Sequence, residues 1–208
     1  MHVLTDAETL RKYAVDNNNL LTTVIPNTYS FYWNTPPGKI LDKLYAEKVK
    51  FWNEERQAKA KPLNLTPGQV YTLASIVEEE TNKHDDKGKI ASVYLNRIEK
   101  GMKLQADPTV KFALKDFALT RIMYGHLNNQ SPYNTYQHEG LPPGPICTPS
   151  IKNIDAVLDA PQTNFIFFVA KPDFNGYSNF ASSYAEHLVF AKAYQQALDS
   201  LIKAKANK

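Results

Sequence analysis

A single cysteine, Cys147, stands in 208 residues, so no intrachain disulfide can staple the fold, and the count neither requires nor excludes an oxidising compartment. In its proline-rich loop it reads as incidental rather than as a nucleophile. No run approaches the roughly 20 apolar residues of a bilayer-spanning helix. The opening MHVLTDAETL lacks the basic and apolar regions of a secretory signal. The chain as given therefore reads as soluble, and its abrupt start in polar, helix-compatible sequence reads as a piece cut from a longer protein. Charge of one sign is scarce too: the formal net charge is +3, and the one conspicuous basic segment, residues 39–61, has acids interspersed. Nucleic acid is not indicated. Also missing are a GxSxG elbow, a Walker phosphate loop, a GxGxxG turn, HExxH and paired-cysteine spacing. Their absence sets aside Ser or Cys nucleophilic catalysis, nucleotide chemistry and zinc chemistry, so neither cofactor nor metal is expected. No internal repeat or low-complexity tract occurs.

What is present suffices for a core, with 43% hydrophobic and 12% aromatic residues. The periodicities predict an α+β fold, mainly helical, with a small β hairpin or sheet in the C-terminal third. A short helix is expected over 6–15, a loop or strand over 20–33 around Pro26, and a long surface helix over 39–61. Residues 66–80 and 87–100 form a helical hairpin, with Gly101 at a left-handed C-cap. Asp107-Pro108 should cap and open a short helix over 109–114. Residues 131–150 are stiffened by proline into an ordered loop, of which 140–145 form a rigid wall with Leu141 packed inward. Residues 165–170 and 177–180 flank the turn signal Phe174-Asn175-Gly176. A capping box, Ser183 to Glu186, opens the last helix, which runs to a basic, frayed end.

The most informative stretch is TPGQVYTLASIVEEET at 66–81. Thr66, Pro67 and Gln69 fix the helix start as a capping box. Val70, Leu73, Ala74, Ile76 and Val77 then form one apolar stripe. At about 100° per residue, Glu80 falls roughly 50° from its centre, Glu78 roughly 110° and Glu79 roughly 150°. Glu80 is thus the inward acid, whose pKa should rise until it can hold a proton for donation near neutrality. The plain alternative is a helix ending in solvated acids, the reading adopted for Glu79. Tyr133 and Tyr136, separated by a polar pair, could stack on sugar rings or simply pack their loop. An inward acid beside an aromatic, amide-rich loop points toward glycosidic bonds.

LASIVEEET, IASVYLNRIEKGMKLQADPTV and SPYNTYQHEGLPPGPICTPS together resemble the endolytic murein transglycosylase family, the YceG-like or MltG proteins. The likeness runs in unbroken order over about 66–198. PNTYSFYW at 26–33 resembles a more degenerate upstream segment. The resemblance implies that residues 64–208 are a YceG-like catalytic domain on which the helical and aromatic segment 1–63 packs, or that 1–208 is one continuous domain. It implies an enzyme, a carbon–oxygen lyase cleaving the β-1,4 bond from N-acetylmuramic acid to N-acetylglucosamine within peptidoglycan glycan strands and leaving 1,6-anhydro ends. The family's catalytic glutamate, last acid of V-E-x-E-T, falls on Glu80, the residue that helical phase selects. Thr81 resembles the serine of a Glu-Ser pair.

Asn96, Gln105, Tyr133, Asn134 and Tyr136 fall in family-like motifs and are candidates for substrate binding. Arg97 is a candidate for a substrate carboxylate or for helix-end carbonyls, Asp107 for an N-cap or a second carboxylate, and His187 for a buried structural bond or a substrate contact. The resemblance further implies a bacterial envelope setting, a parent protein anchored in the inner membrane by an N-terminal helix with its catalytic part outside the cytoplasm, and cell-wall synthases as partners. Two other readings stay open: a hydrolytic muramidase pairing Glu80 with Asp107, and a catalytically silent peptidoglycan-binding or scaffold module.

Overall fold

The computed structural model describes residues 6–206 and, among them, eight α-helices with one antiparallel strand pair, the α+β class expected. Helix α1 (Ala7–Lys12) is shorter than predicted, and residues 20–33 hold a 3-10 turn at Leu20–Thr23 followed by irregular chain rather than a strand. The long helix expected over 39–61 is two helices, α2 (Pro37–Phe51) and α3 (Glu54–Ala60). The break has a local cause. Trp52 turns its ring into the core, where it is 5% exposed, and the Asn53 side chain accepts the Arg56 N–H at 3.0 Å, starting a new helix with an N-cap.

Helix α4 (Pro67–Glu80) starts where predicted, with Thr66 Oγ1 accepting the Gln69 N–H at 3.3 Å while Gln69 Oε1 accepts the Thr66 N–H at 2.9 Å. All eight residues from Val70 to Val77 are buried, more than the one stripe read from the sequence. A helix enclosed on every side needs partners on every side. They are α5 (His84–Glu99), α6 (Asp107–Leu114) and α7 (Ile151–Leu158), all of which pack on α4. Its two small polar residues are satisfied locally: Thr72 Oγ1 donates to Gly68 O at 2.9 Å and Ser75 Oγ to Thr72 O at 2.7 Å. Each large apolar side chain buried there is worth roughly 1.5–3 kcal/mol.

Helix α5 ends as expected on Gly101 at φ +63°, with the Gly101 N–H on Ile98 O and the Met102 N–H on Arg97 O, a Schellman arrangement. Strands β1 (Phe167–Ala170) and β2 (Ser178–Ala181) pair with Phe167 opposite Ala181, around a turn in which Phe174 and Gly176 take positive φ. Helix α8 (Tyr184–Ala206) packs on both strands. Ser183 Oγ accepts the Glu186 N–H at 3.2 Å, and the Glu186 carboxylate reaches the Ser182 N–H at 2.9 Å. The last two residues of the predicted basic end lie outside the described residues.

Ile25, Trp52 and Ala60 join the main core around α4, whereas Leu10, Tyr13, Val15 and Leu41 form a separate small cluster. Leu141 packs against the main core, as predicted. No helix among the described residues is long and apolar enough to cross a membrane.

Candidate active site

Glu80 is the last residue of α4, and the chain leaves it extended, with Thr81 at φ −153°. The residue is half-buried, and its carboxyl Oε1 accepts the Tyr94 hydroxyl of α5 at 2.6 Å. Burial is the largest influence and pushes the Glu80 pKa up from 4.5 to about 7. The Tyr94 bond opposes this, and nearby Asp107 adds to it while Arg97 and Lys111 subtract. The negative end of the α4 dipole also disfavours a carboxylate at this position. At neutral pH the group therefore exists in both forms and can give or take a proton.

The neighbouring glutamates have different surroundings. Glu79 is exposed. Glu78 ties α4 to the start of α7, its Oε2 accepting from Ser150 N at 2.8 Å, from Ser150 Oγ at 2.9 Å and from the Asn153 amide. Cys147 Sγ lies 3.4 Å from Ser75 O, and burial pushes its thiol up to about 12, the opposite of a nucleophile's activation.

Glu80 opens into a cleft of about 360 Å³ whose other charged or titratable lining groups are Tyr94, Arg97, Asp107, Tyr136, Tyr184 and His187. It also lines a second cavity of about 680 Å³ with Thr81, Asn82 and Lys83. Asp107 does not cap α6, as the sequence reading favoured. Ala106 occupies the N-cap, Asp107 is the first helical residue, and its Oδ1 accepts the Tyr136 hydroxyl at 2.6 Å. A buried clamp sets that geometry: Thr135 O accepts the Gln105 N–H at 3.1 Å, Thr135 Oγ1 accepts the Ala106 N–H at 3.0 Å, and Thr109 Oγ1 lies 2.9 Å from Thr135 Oγ1. Because this holds both Gln105, at φ +53°, and the residue before Asp107, the 104–107 turn and the Tyr136 loop are placed as one unit.

Arg97 meets none of its own helix's last carbonyls through its side chain. Nε donates to Ile166 O at 2.7 Å and Nη1 to Leu104 O at 2.7 Å, while Cζ stands 5.3 Å from the Phe167 ring centroid. It braces β1 against the 103–105 turn and leaves a cation beside Glu80.

The YceG-like family model matches residues 2–193. The chain belongs to the YceG-like family. A Bacillus subtilis (strain 168) protein named endolytic murein transglycosylase is 36% identical over 169 residues, which cover 79% of this chain and 45% of that protein. A Streptococcus pneumoniae (strain D39) protein of the same name is 31% identical over 151 residues, covering 71% of this chain and 27% of that protein. The chain thus spans less than half the length of either relative. A crystal structure of a yceG-like protein from Listeria monocytogenes superposes with a TM-score of 0.75 at 27% identity, covering 89% of this chain and 64% of that one.

In this YceG-like chain, the residues proposed from sequence divide into two groups. Glu80, Gln105, Tyr136, Arg97, Asp107 and His187 share one cleft, and Thr81 lies in the adjoining cavity, where Oγ1 accepts the Lys83 N–H at 3.0 Å. The others are elsewhere. Asn134 is fully buried, and its amide donates to Leu127 O at 3.0 Å and Asn129 O at 2.7 Å. Tyr133 packs on Phe112 with centroids 4.7 Å apart and donates to Asn18 O at 3.3 Å. Asn96 donates to Thr163 O and Phe165 O and lines a separate cavity of about 680 Å³ on another face of α5, one that Glu80 does not reach.

Sequence reasoning missed Tyr94, Leu104, Phe167, Phe168 and Tyr184, all of which line the cleft. Only Tyr94 carried a usable signal, lying three residues before Arg97 and so on the same helix face.

Proposed function

We propose that this chain is the catalytic portion of an endolytic peptidoglycan lytic transglycosylase, with Glu80 as its single acid and base. The observation that supports this most is Glu80 itself: a carboxyl with its pKa raised to about 7, lining two cavities at once. An endo-acting enzyme needs room for glycan on both sides of the bond it cuts, and a group that donates and later accepts a proton works best with a pKa near the operating pH. The curated relatives carry the name of this activity.

In the proposed sequence, protonated Glu80 gives its proton to the glycosidic oxygen between N-acetylmuramic acid and N-acetylglucosamine, and the C1–O bond breaks. The Glu80 carboxylate then takes the proton of the muramyl C6 hydroxyl as that oxygen bonds to C1. The product is a 1,6-anhydro end, no water is consumed, and Glu80 is returned in its acid form. Tyr94 orients the carboxyl, while Gln105 and the Asp107–Tyr136 pair face the oxocarbenium-like transition state. Residues 64–208 carry the catalytic unit in this reading. Anchoring of a longer parent in the inner membrane, outward placement of the catalytic part, and partnership with cell-wall synthases rest on family resemblance and belong to the same proposal.

Asp107 in the cleft favours one further reading, a muramidase in which it activates water opposite Glu80. Mass spectrometry of purified glycan strands incubated with the chain and with Glu80→Gln separates the two. Internal anhydro-muramyl ends from the wild type alone are expected. Reducing ends would transfer the assignment to the hydrolase, and equal cleavage by both chains would remove Glu80 from the chemistry.

A further inference from the structure

Phe167 of β1 and Tyr184 and His187 of the first turns of α8 line the Glu80 cleft together. Their rings pack on one another as one wall of the cleft, in which Phe167 and His187 turn faces on each other and the Tyr184 ring is left open. Phe167 and His187 stack with centroids 5.1 Å apart at 23°, Tyr184 stands 5.8 Å from Phe167, and Tyr184 and His187 are 6.3 Å apart at 31°. Tyr184 is 62% exposed, so its ring adds little to the core and much to the cleft surface.

His187 differs from a satisfied core histidine. Its Nδ1 is buried without a hydrogen-bond partner, and Arg97 stands on the neighbouring face of the same assembly, its guanidinium 5.3 Å from the Phe167 centroid. A neutral imidazole carries one N–H. Placing that proton on Nδ1 would bury a donor with no acceptor. The favoured tautomer therefore has its N–H on Nε2. Burial and Arg97 both hold the imidazole pKa below its ordinary value, so this neutral donor persists at neutral pH.

An aromatic wall beside a neutral N–H donor suits a pyranose, whose C–H face stacks while its hydroxyl or acetamido oxygens accept. We propose that Phe167, Tyr184 and His187 form a sugar-stacking subsite beside Glu80, in which an N-acetylated hexosamine ring lies on the exposed Tyr184 ring, Phe167 backs the wall and His187 Nε2–H donates to one of the sugar's oxygens. This rests on the glycan reading of the cleft and extends it by assigning the recognition surface to β1 and α8 rather than to the tyrosine loop.

The test is binding of purified glycan strands to the Glu80→Gln chain, alone and combined with Tyr184→Ala or His187→Ala. Each alanine is expected to weaken binding roughly three- to tenfold. Tyr184→Phe and His187→Gln, which keep a ring face and an N–H donor, should recover most of the loss. In the cleaving chain the alanine changes should raise KM and leave kcat within about twofold. Unchanged binding in both alanine variants, a loss that neither conservative change recovers, or no strand binding at all would overturn the proposal. Because binding is read without cleavage, wild-type products with reducing ends would overturn the reaction assigned to Glu80 and leave the wall standing.

Discussion

Replacing Glu80 with Gln should stabilise the fold in a pH-dependent way while removing the proposed activity. Gln retains the oxygen that accepts the Tyr94 hydroxyl and removes the titration. The folded-state pKa of Glu80 is raised from 4.5 to about 7. Folded wild type therefore binds more protons than unfolded wild type between those values, and its stability falls as pH rises through that window. Below pH 4.5 the carboxyl is protonated in both states and the difference vanishes; above about 7 the penalty is complete. At about 1.36 kcal/mol per pKa unit the shift amounts to at most about 3 kcal/mol, with the part of the carboxyl that faces cleft water reducing it. For a chain of this length that is a rise in Tm of up to roughly 6–12 °C for Glu80→Gln over wild type. Thermal melts followed by circular dichroism at about pH 4 and about pH 8 would measure it. A difference between the two chains that stays constant with pH, or is larger at the acid end, would refute the claim that burial holds Glu80 protonated near neutrality.

Two further substitutions probe the supports of the cleft. Tyr94→Phe removes the 2.6 Å bond that favours ionised Glu80, so the alkaline limb of the pH profile for kcat/KM should move upward while kcat falls, and stability should drop by about 1 kcal/mol. An unmoved limb in pH–rate measurements would mean that Tyr94 does not tune the carboxyl. Gly144→Ala places a Cβ 2.0 Å from Asn18 O and 2.6 Å from Asn18 C, both backbone atoms, so the 16–19 turn must shift. Chemical denaturation should show a loss of about 1–3 kcal/mol; an unchanged midpoint would mean that the N-terminal segment is not held against this loop.

The legible parts of this molecule are those set within one helical turn or one cap. Thr66 and Gln69 name their own helix start, Gly101 its own helix end, and the phase of Glu80 follows from counting. The illegible parts depend on which element arrives opposite. Residues 39–61 keep helical spacing across a break, because the burial of Trp52 is a tertiary outcome and Asn53, whose cap reaches only to Arg56, sits at a position that a continuous helix would tolerate. Asp107 precedes a proline in a way that suits an N-cap, yet the Thr109–Thr135 clamp shifts the cap to Ala106 and releases the carboxylate to Tyr136. Asn134 and Asn96 have the side chains that a sugar site needs, and equally those that buried carbonyls need; the carbonyls of Leu127, Asn129, Thr163 and Phe165 claim them.

The same distinction explains why three consecutive glutamates do three different things. Helical phase ranks the three, with Glu80 most inward and Glu79 facing water. It does not assign their roles, because the difference in role between Glu78 and Glu80 lies in what meets them. Glu78 meets the opening of α7, where Ser150 and Asn153 present several donors to one oxygen and fix it as a structural acceptor. Glu80 meets a single hydroxyl, from Tyr94, and the floor of a cleft, so its proton is not displaced by competing donors. An acid that must be able to give up and recover a proton needs fewer partners than an acid that must hold two helices together. On this chain the poorer set of hydrogen bonds, not the richer one, marks the candidate for chemistry.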